Sequence, residues 1–376
     1  MRIPYFDYAA TTPIDPRVIR RMLPFMGPDG DFGNPASAHT YGEAAHEAVA
    51  AAREEVASLL HADPREIVFT SGATESDNLA LKGVAAEFAA GHIVTDAVEH
   101  KAVLDPCAFL AAAGHPVSYI APQADGRIAV DAVASAVRPD TCLVSVMHAN
   151  NETGVINDIA GIAALCGERG IVFHTDAAQS FGKLPLDVRT LPVDLVSFTA
   201  HKIYGPKGIG ALYVRRRAGL ALQAQMHGGG HERGLRSGTL ATHQIVGFGA
   251  ACALMASEGA AEQLRIAVLR DRLWSGLCAV GGVRVNGSAT RLAGHLNVAV
   301  EGVSGDLLLP ALRLAVSRGS ACNAASVEPS HVLVAMGVAP ALASASLRFS
   351  LGRFTTEADV EAAVARFATA VQRLRA

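Results

Sequence analysis

The stretch Asp194-Leu195-Val196-Ser197-Phe198-Thr199-Ala200-His201-Lys202 runs without a break into Ile203-Tyr204-Gly205-Pro206-Lys207-Gly208. Its apolar, β-branched and aromatic residues predict a strand, and the Gly/Pro cluster behind them predicts a turn. Lys202 is therefore delivered to the end of a strand, where a ligand can reach its amine. A second strand-like run, Gly170-Ile171-Val172-Phe173-His174-Thr175, ends in Asp176, 26 positions before that lysine. Singly, such a lysine is an ordinary solvated charge and such an aspartate an ordinary helix cap. The rest of the chain decides between these readings.

A lysine and a buried-strand aspartate in this relation suit pyridoxal phosphate. The aldehyde needs an amine for its Schiff base, and the pyridine nitrogen needs a carboxylate to stay protonated and draw electrons from a bond broken at a substrate Cα. The phosphate needs a cradle as well. Glu66-Ile67-Val68-Phe69-Thr70 reads as a strand, and Ser71-Gly72-Ala73-Thr74-Glu75-Ser76-Asp77-Asn78 turns into the helix-like Leu79-Ala80-Leu81-Lys82. A helix N-terminus offers unpaired N–H groups and the positive end of its dipole to an anion. Gly72 allows close backbone approach, Thr74 adds a hydroxyl, and Thr199 and His201 supply further donors beside the lysine. The plain alternative is a Ser/Thr N-cap.

Strand-like runs alternate with alanine-rich helical patterns such as 43–60 and 158–169, which predicts an α/β fold with a mostly parallel sheet covered by helices on both faces. Ligands in such sheets lie beyond the carboxyl ends of the strands, where Asp176 and the 71–74 turn fall. We expect a large cofactor-binding domain over residues 15–256. A helical stretch over 260–279 leads into strands near 283–285 and 295–300 and a final amphipathic helix over 357–374. With residues 1–14 added, 257–376 is expected to form a smaller α+β domain.

The 376 residues are half hydrophobic, with 32 Lys and Arg against 35 Asp and Glu. A net charge of −3 gives no reason to expect direct nucleic-acid binding. No apolar run is long enough for a bilayer, and Met1-Arg2-Ile3-Pro4 enters fold sequence directly, so no membrane association and a cytoplasmic location are expected. Cysteines 107, 142, 166, 252, 278 and 322 form no C-x-x-C pair and no cluster with histidine, so neither a disulfide framework nor a metal site is expected. Cys252, within Gly249-Ala250-Ala251-Cys252-Ala253-Leu254, reads as a small buried hydrophobe. Arg215-Arg216-Arg217 reads as a solvated strand edge.

Nearly the whole chain resembles the cysteine desulfurases of the NifS/IscS group. The motifs that carry the resemblance are Phe6 to Pro13, Phe32-Gly33-Asn34-Pro35-Ala36-Ser37, Thr70 to Asn78, Glu99-His100-Lys101, His148 to Gly154, His201-Lys202, Gly228 to Gly234, Arg236-Ser237-Gly238-Thr239 and Gly319-Ser320-Ala321-Cys322. The resemblance implies the aspartate aminotransferase-like fold (fold type I) of pyridoxal-phosphate enzymes, in its class V branch, and a homodimer with cofactor sites at the subunit interface. It makes Lys202 the Schiff-base lysine and Asp176 the partner of the pyridine nitrogen. Ala73, Thr74, Thr199 and His201 would hold the phosphate, Thr239 would reach it from the other subunit, and Gln179 would bond the phenolic oxygen. His100 would stack over the ring and move protons, while Asn151 and Arg348 would hold the substrate carboxylate. Arg348 lies in the alternating Ser346-Leu347-Arg348-Phe349-Ser350, which by itself predicts a half-buried strand.

Cys322 distinguishes branches of this superfamily, because an aminotransferase needs no thiol. A desulfurase converts L-cysteine to L-alanine and needs a thiolate to take the sulfur as a persulfide for an acceptor protein. Residues 317–326 are rich in small side chains and lack apolar periodicity, which predicts a loop able to carry that thiol. Arg318 is a bulky cation where small residues are usual, and it is close enough in sequence to favour the thiolate. Many bacterial members carry a tail beyond the last helix that helps dock the iron–sulfur scaffold, whereas here the final residues are Arg375-Ala376. Iron–sulfur assembly, tRNA thiolation and DNA phosphorothioation are all open as destinations of the sulfur. A selenocysteine lyase or another class V enzyme is the alternative activity.

Overall fold

In a computed structural model of the chain, residues 3–318 and 329–376 are described. Ten strands are present among them: β1 (Ile67–Thr70), β2 (His92–Asp96), β3 (Val117–Ile120), β4 (Thr141–Ser145), β5 (Val172–Asp176), β6 (Leu195–Thr199), β7 (Gly210–Val214), β8 (Val283–Val285), β9 (His295–Val300) and β10 (Ser346–Ser350). The first seven form one sheet in the order β1-β7-β6-β5-β4-β2-β3. Only β7 runs against its neighbours; the pairs β2–β3, β2–β4, β4–β5 and β5–β6 are parallel. β2, β4, β5 and β6 are buried along their whole length, as strands covered on both faces must be, which is why they read as apolar runs.

Parallel pairing sets the register that matters for the site. Asp176 at the end of β5 lies opposite Ser197 of β6, so the carboxylate and the turn bearing Lys202 emerge side by side. The helix Thr40–Leu60 packs against one face of the sheet and continues past the expected start at residue 43 to a cap at His39. The helix Ile159–Glu168 agrees with its sequence pattern to within a residue and is capped by Asp158, whose carboxylate accepts from Gly161 N.

β8, β9 and β10 form a separate antiparallel sheet in the order β10-β9-β8. It has its own core, in which Phe6, Leu296, Leu347, Phe349, Val360 and Phe367 meet. The helix Thr242–Cys278 serves both cores. Ile245, Phe248, Cys252 and Met255 pack on the large sheet, and Ile266, Leu269, Leu273 and Leu277 pack on the small one. The expected helix over 260–279 is thus the second half of a longer one. The final helix, Glu357–Arg375, starts at a capping box between Thr356 and Asp359.

Two local expectations need correction. β10 is buried at all five positions, not on one face, because its second face packs towards the large sheet and the N-terminal segment. The run Arg215–Arg217 is not a free edge: Arg215 donates to the carbonyls of Val188, Leu191 and Val193, and Arg217 pairs with Asp194. Two of the three arginines fasten the 187–194 turn ahead of β6. Among the described residues no helix is long and apolar enough to cross a membrane, and no group of three His, Cys, Asp or Glu is placed to hold a metal.

Candidate active site

A cavity of about 380 Å³ opens at the carboxyl ends of the parallel strands. It brings together Ala73, Thr74, His100, Asn151, Asp176, Gln179, Thr199, His201, Lys202 and Arg348. Thr239 is exposed and does not line it. Cys322 lies outside the described residues.

Lys202 ends a short 3-10 turn, Ala200–Lys202, behind β6. The turn is tight: a Cβ at Gly205 would lie 2.8 Å from Ala200 Cβ, and Tyr204 takes a left-handed φ of 68° that a non-glycine residue rarely adopts. Thr12 holds this geometry from the N-terminal segment. Its hydroxyl donates to His201 O and accepts from Tyr204 N, each at 2.9 Å. The Lys202 amine donates to Ala9 O. Burial pulls the Lys202 amine down to about 7, with Arg348 and Lys183 pushing the same way, so a neutral amine is available near pH 7.

Asp176 is the counterpart. Its Oδ1 accepts from Ala178 N at 2.7 Å, and burial, followed by the nearby Asp77, raises its carboxyl above the usual range. A second charged group in the cavity would relieve that cost, and a protonated pyridine nitrogen is one. Asp77 is fully buried on the helix Ala73–Ala85 and pushed up to about 7 by desolvation. It lies 3.5 Å from His174 Nε2, whose ring also contacts Ser145 and Ser197 at 2.8 and 2.9 Å.

The turn after β1 behaves as an anion cradle. Gly72, not a serine or threonine, is the N-cap of the helix Ala73–Ala85, and no side chain caps its first turn. The N–H groups of that turn are left to a ligand. A Cβ at Gly210 would fall 2.7 Å from Gly72 Cα, so β7 can lie this close to the turn only because residue 210 is glycine. His201 faces the same end; desolvation, then Lys202, lowers it to about 3, which leaves a neutral imidazole whose Nδ1 contacts Thr11 Oγ1 at 3.1 Å. Thr199 donates its hydroxyl to Ile209 O at 3.1 Å.

At the opposite end Arg348, 1% exposed, is held by Asp7 and by Asn151 O, each at 2.8 Å, with Nε unpartnered among the described residues. Gln179 donates its amide to Ala9 O at 2.9 Å and leaves Oε1 buried on the cavity wall without a partner among the described residues. His100 caps the helix Lys101–Ala112 through Nδ1, which accepts from Ala102 N at 3.1 Å, and burial lowers its pKa, leaving the ring neutral. A flat neutral ring, a buried carboxylate, an anion cradle and a neutral amine around one cavity fit pyridoxal phosphate in size and chemistry.

The sequence reading gave no role to Ala9, Thr12, Tyr204 or Asp77. Ala9 and Thr12 sit inside the Phe6–Pro13 motif, which was the available signal. Arg318 is anchored on the neighbouring helix Gly305–Leu312. Its guanidinium bonds Asp306 at 3.0 Å and Gly305 O at 2.6 Å, while the thiol it is expected to favour lies outside the described residues. Cys107, Cys142, Cys166 and Cys252 are buried, and burial pushes the first three up to about 12, 11 and 12, whereas Cys278 is exposed at the end of the long helix.

Comparison with known proteins gives the same picture over the full length. A cysteine desulfurase IscS from Shewanella sp. strain ANA-3 is 56% identical, with 100% of this chain and 94% of the relative covered. A solved NifS-like protein superposes with a TM-score of 0.92 at 36% identity, covering all of both chains. The structure of SspA in complex with cysteine superposes with a TM-score of 0.84 at 41% identity over 94% of this chain and all of that one. Residues 4–363 match the aminotransferase class-V family, and the chain belongs to it.

Proposed function

We propose that this protein is a pyridoxal-phosphate-dependent cysteine desulfurase that turns L-cysteine into L-alanine and holds the released sulfur as a persulfide on Cys322. The observation that carries the reading is the pairing, in one cavity, of a neutral Lys202 amine with the buried Asp176 carboxylate and, across from them, Arg348. When bound, the cofactor supplies an electron sink for a bond broken at the substrate Cα.

The chain's own groups divide the remaining work. The first turn of the helix Ala73–Ala85, with Thr199 and His201, holds the phosphate, and Asp176 faces the pyridine nitrogen. Arg348 and Asn151 orient the substrate carboxylate, Arg348 with its Nε still free to donate. Lys202 Nζ, neutral near pH 7, takes the proton from Cα. His100 is the acid and base for the substrate thiol. The Cys322 thiolate attacks the substrate sulfur; an S–S bond forms, the Cβ–S bond breaks, and the electron pair left on carbon takes a proton to become the methyl group of alanine.

We further propose a homodimer in which Thr239 reaches the partner's phosphate, a sulfur-acceptor protein as the partner, and a division into 1–14 with 257–376 and 15–256. The separate cores of the two sheets support the division between them, while Tyr8, Val332, Leu333, Met336 and Ala343 pack into the larger core. The central test is borohydride reduction of the holoenzyme followed by peptide mapping. The cofactor should be fixed on Lys202, and Lys202→Ala should carry no label and no desulfurase activity. Label on Lys207, which also lines the cavity, would overturn the assignment.

A further inference from the structure

Lys202 is shared between two cavities. Besides the site above, it borders a small chamber of about 10 Å³, room for one water, whose walls include Lys183, Tyr204, His295 and Ser350. His295 is 3% exposed, and its Nε2 is buried without a hydrogen-bond partner among the described residues. A buried imidazole nitrogen left unpaired is costly unless water satisfies it.

The chamber also has a way out. Tyr204, on its wall, lies with its hydroxyl against Glu262, and Glu262 faces Lys183 electrostatically. Glu262 in turn lines an open surface groove of about 600 Å³ with Asp15, Arg17 and Arg353. Lys202, a water-sized space and Lys183 thus share one chamber, with the Glu262 carboxylate lying beyond Lys183 on the side of the groove.

We propose that this chamber is a rear proton port, in which one water and Lys183 pass protons between Lys202 and the outer groove beside Glu262. The proposal rests on Lys202 being the amine that handles the Cα proton. In the transfer an N–H bond of the Lys202 ammonium breaks as an O–H bond forms on the water. The water gives up a proton to the Lys183 amine, and the Lys183 ammonium releases one through further water towards the groove beside Glu262, which is itself paired with Arg353 at 2.5 Å. Only bonds to hydrogen change, and nothing is oxidised.

The charges facing these groups come from several elements. Lys202 meets Arg348 from β10, Lys183, Asp176 from β5 and Asp7 from the N-terminal segment. Lys183 meets Glu262 from the long helix. His295 meets Lys183, Arg348, Lys202 and Arg291, and burial followed by these cations keeps it neutral. Desolvation brings Lys183 down to about 8, close enough to neutrality for it both to accept and to release a proton.

Two variants separate a relay from a merely electrostatic or structural role. Lys183→Met removes charge and relay together; Lys183→Arg keeps a charge that does not release its proton. The holoenzyme is given L-cysteine deuterated at Cα in ordinary water, and the alanine formed is weighed by mass spectrometry. Wild type should lose the label to solvent, and both variants should retain several-fold more of it. In cofactor-free protein, competitive amine labelling follows the pH at which Lys202 becomes reactive. That pH should rise by roughly one unit in Lys183→Met and stay in place in Lys183→Arg. Label washed out by Lys183→Arg as fast as by wild type would overturn the port. Should Lys183→Met fail to fold, Lys183→Gln, which is polar but does not carry a proton onward, takes its place, and label loss as fast as in wild type would count equally against the port. A wrong functional reading would show itself separately, as borohydride label away from Lys202.

Discussion

At the scale of single residues, burial sets the chemistry of this site. Asp176 and Lys202 are opposite charges at adjacent strand ends, yet desolvation drives both towards neutrality, raising the acid and lowering the amine. A protonated ring nitrogen beside Asp176 reverses the first shift, so Asp176→Asn should lose both affinity and rate. We expect at least a tenfold weaker cofactor affinity, measured by the visible absorbance recovered on titrating cofactor-free protein. The cysteines give a second prediction. The four buried ones should resist alkylation, and Cys278, exposed, should react together with Cys322. A Cys278→Ser variant should keep full desulfurase activity and show alkylation at Cys322 alone, with activity lost in step; sulfur found on Cys278 after a brief cysteine pulse would contradict this. The lysine, the aspartate and the Gly72 turn were legible because their chemistry needs short local motifs. Thr12 and Ala9 were not, since their roles are hydrogen bonds to residues about 190 positions away, which no local pattern encodes.

At the scale of elements, the parallel strands were legible as apolar runs, but the first half of the helix Thr242–Cys278 was not. Residues 242–257 are rich in glycine and alanine and apolar nearly all round, so the stripe of Ile245, Phe248, Cys252 and Met255 does not stand out from its background. The structure gives the reason: a Cβ on Gly247 would come within 2.7 Å of Met22 Sδ, and one on Gly249 within 2.8 Å of Ala52 Cα, so close helix packing dictates the small residues. The end of β2 carries a different kind of constraint. Asp96 and Glu99 are both fully buried close to one another, and burial raises both carboxyls, Asp96 to about 7. Because the folded pKa of Asp96 lies above its unfolded value of 3.8, its contribution is fully present below about pH 4 and is lost as pH rises through about 7. Asp96→Asn keeps an acceptor for Val98 N and removes that loss. The stability gap in its favour over wild type, read from urea midpoints, should therefore widen by on the order of 2 kcal/mol between pH 5 and pH 8. A constant gap between the two pH values would mean that the pair does not hold a proton in the folded state.

At the scale of the whole molecule, one chain assembles every expected cavity residue among those described except Thr239, which stands exposed beyond the loop 228–234. That loop is not loose. Glu232 and Arg233 take left-handed φ values of 51° and 59°, and Glu232 is buried against Arg53 and accepts from Phe69 N at 2.7 Å, next to the phosphate turn. Strain held in place by a buried ion pair presents the 236–239 segment outward in a fixed shape, as an interface residue requires. Thr239 acting in the partner's site makes a quantitative prediction. Lys202→Ala subunits and Thr239→Asp subunits, the latter carrying a carboxylate against the phosphate, should each be inactive as pure dimers. In a mixed dimer with shared sites, one site combines both defects and the other has neither. Equal mixing followed by full subunit exchange makes half the dimers mixed, so about a quarter of wild-type activity should return. If each site is built within one chain, both sites of the mixed dimer stay damaged and no activity returns, and exchange confirmed by native mass spectrometry makes that result decisive.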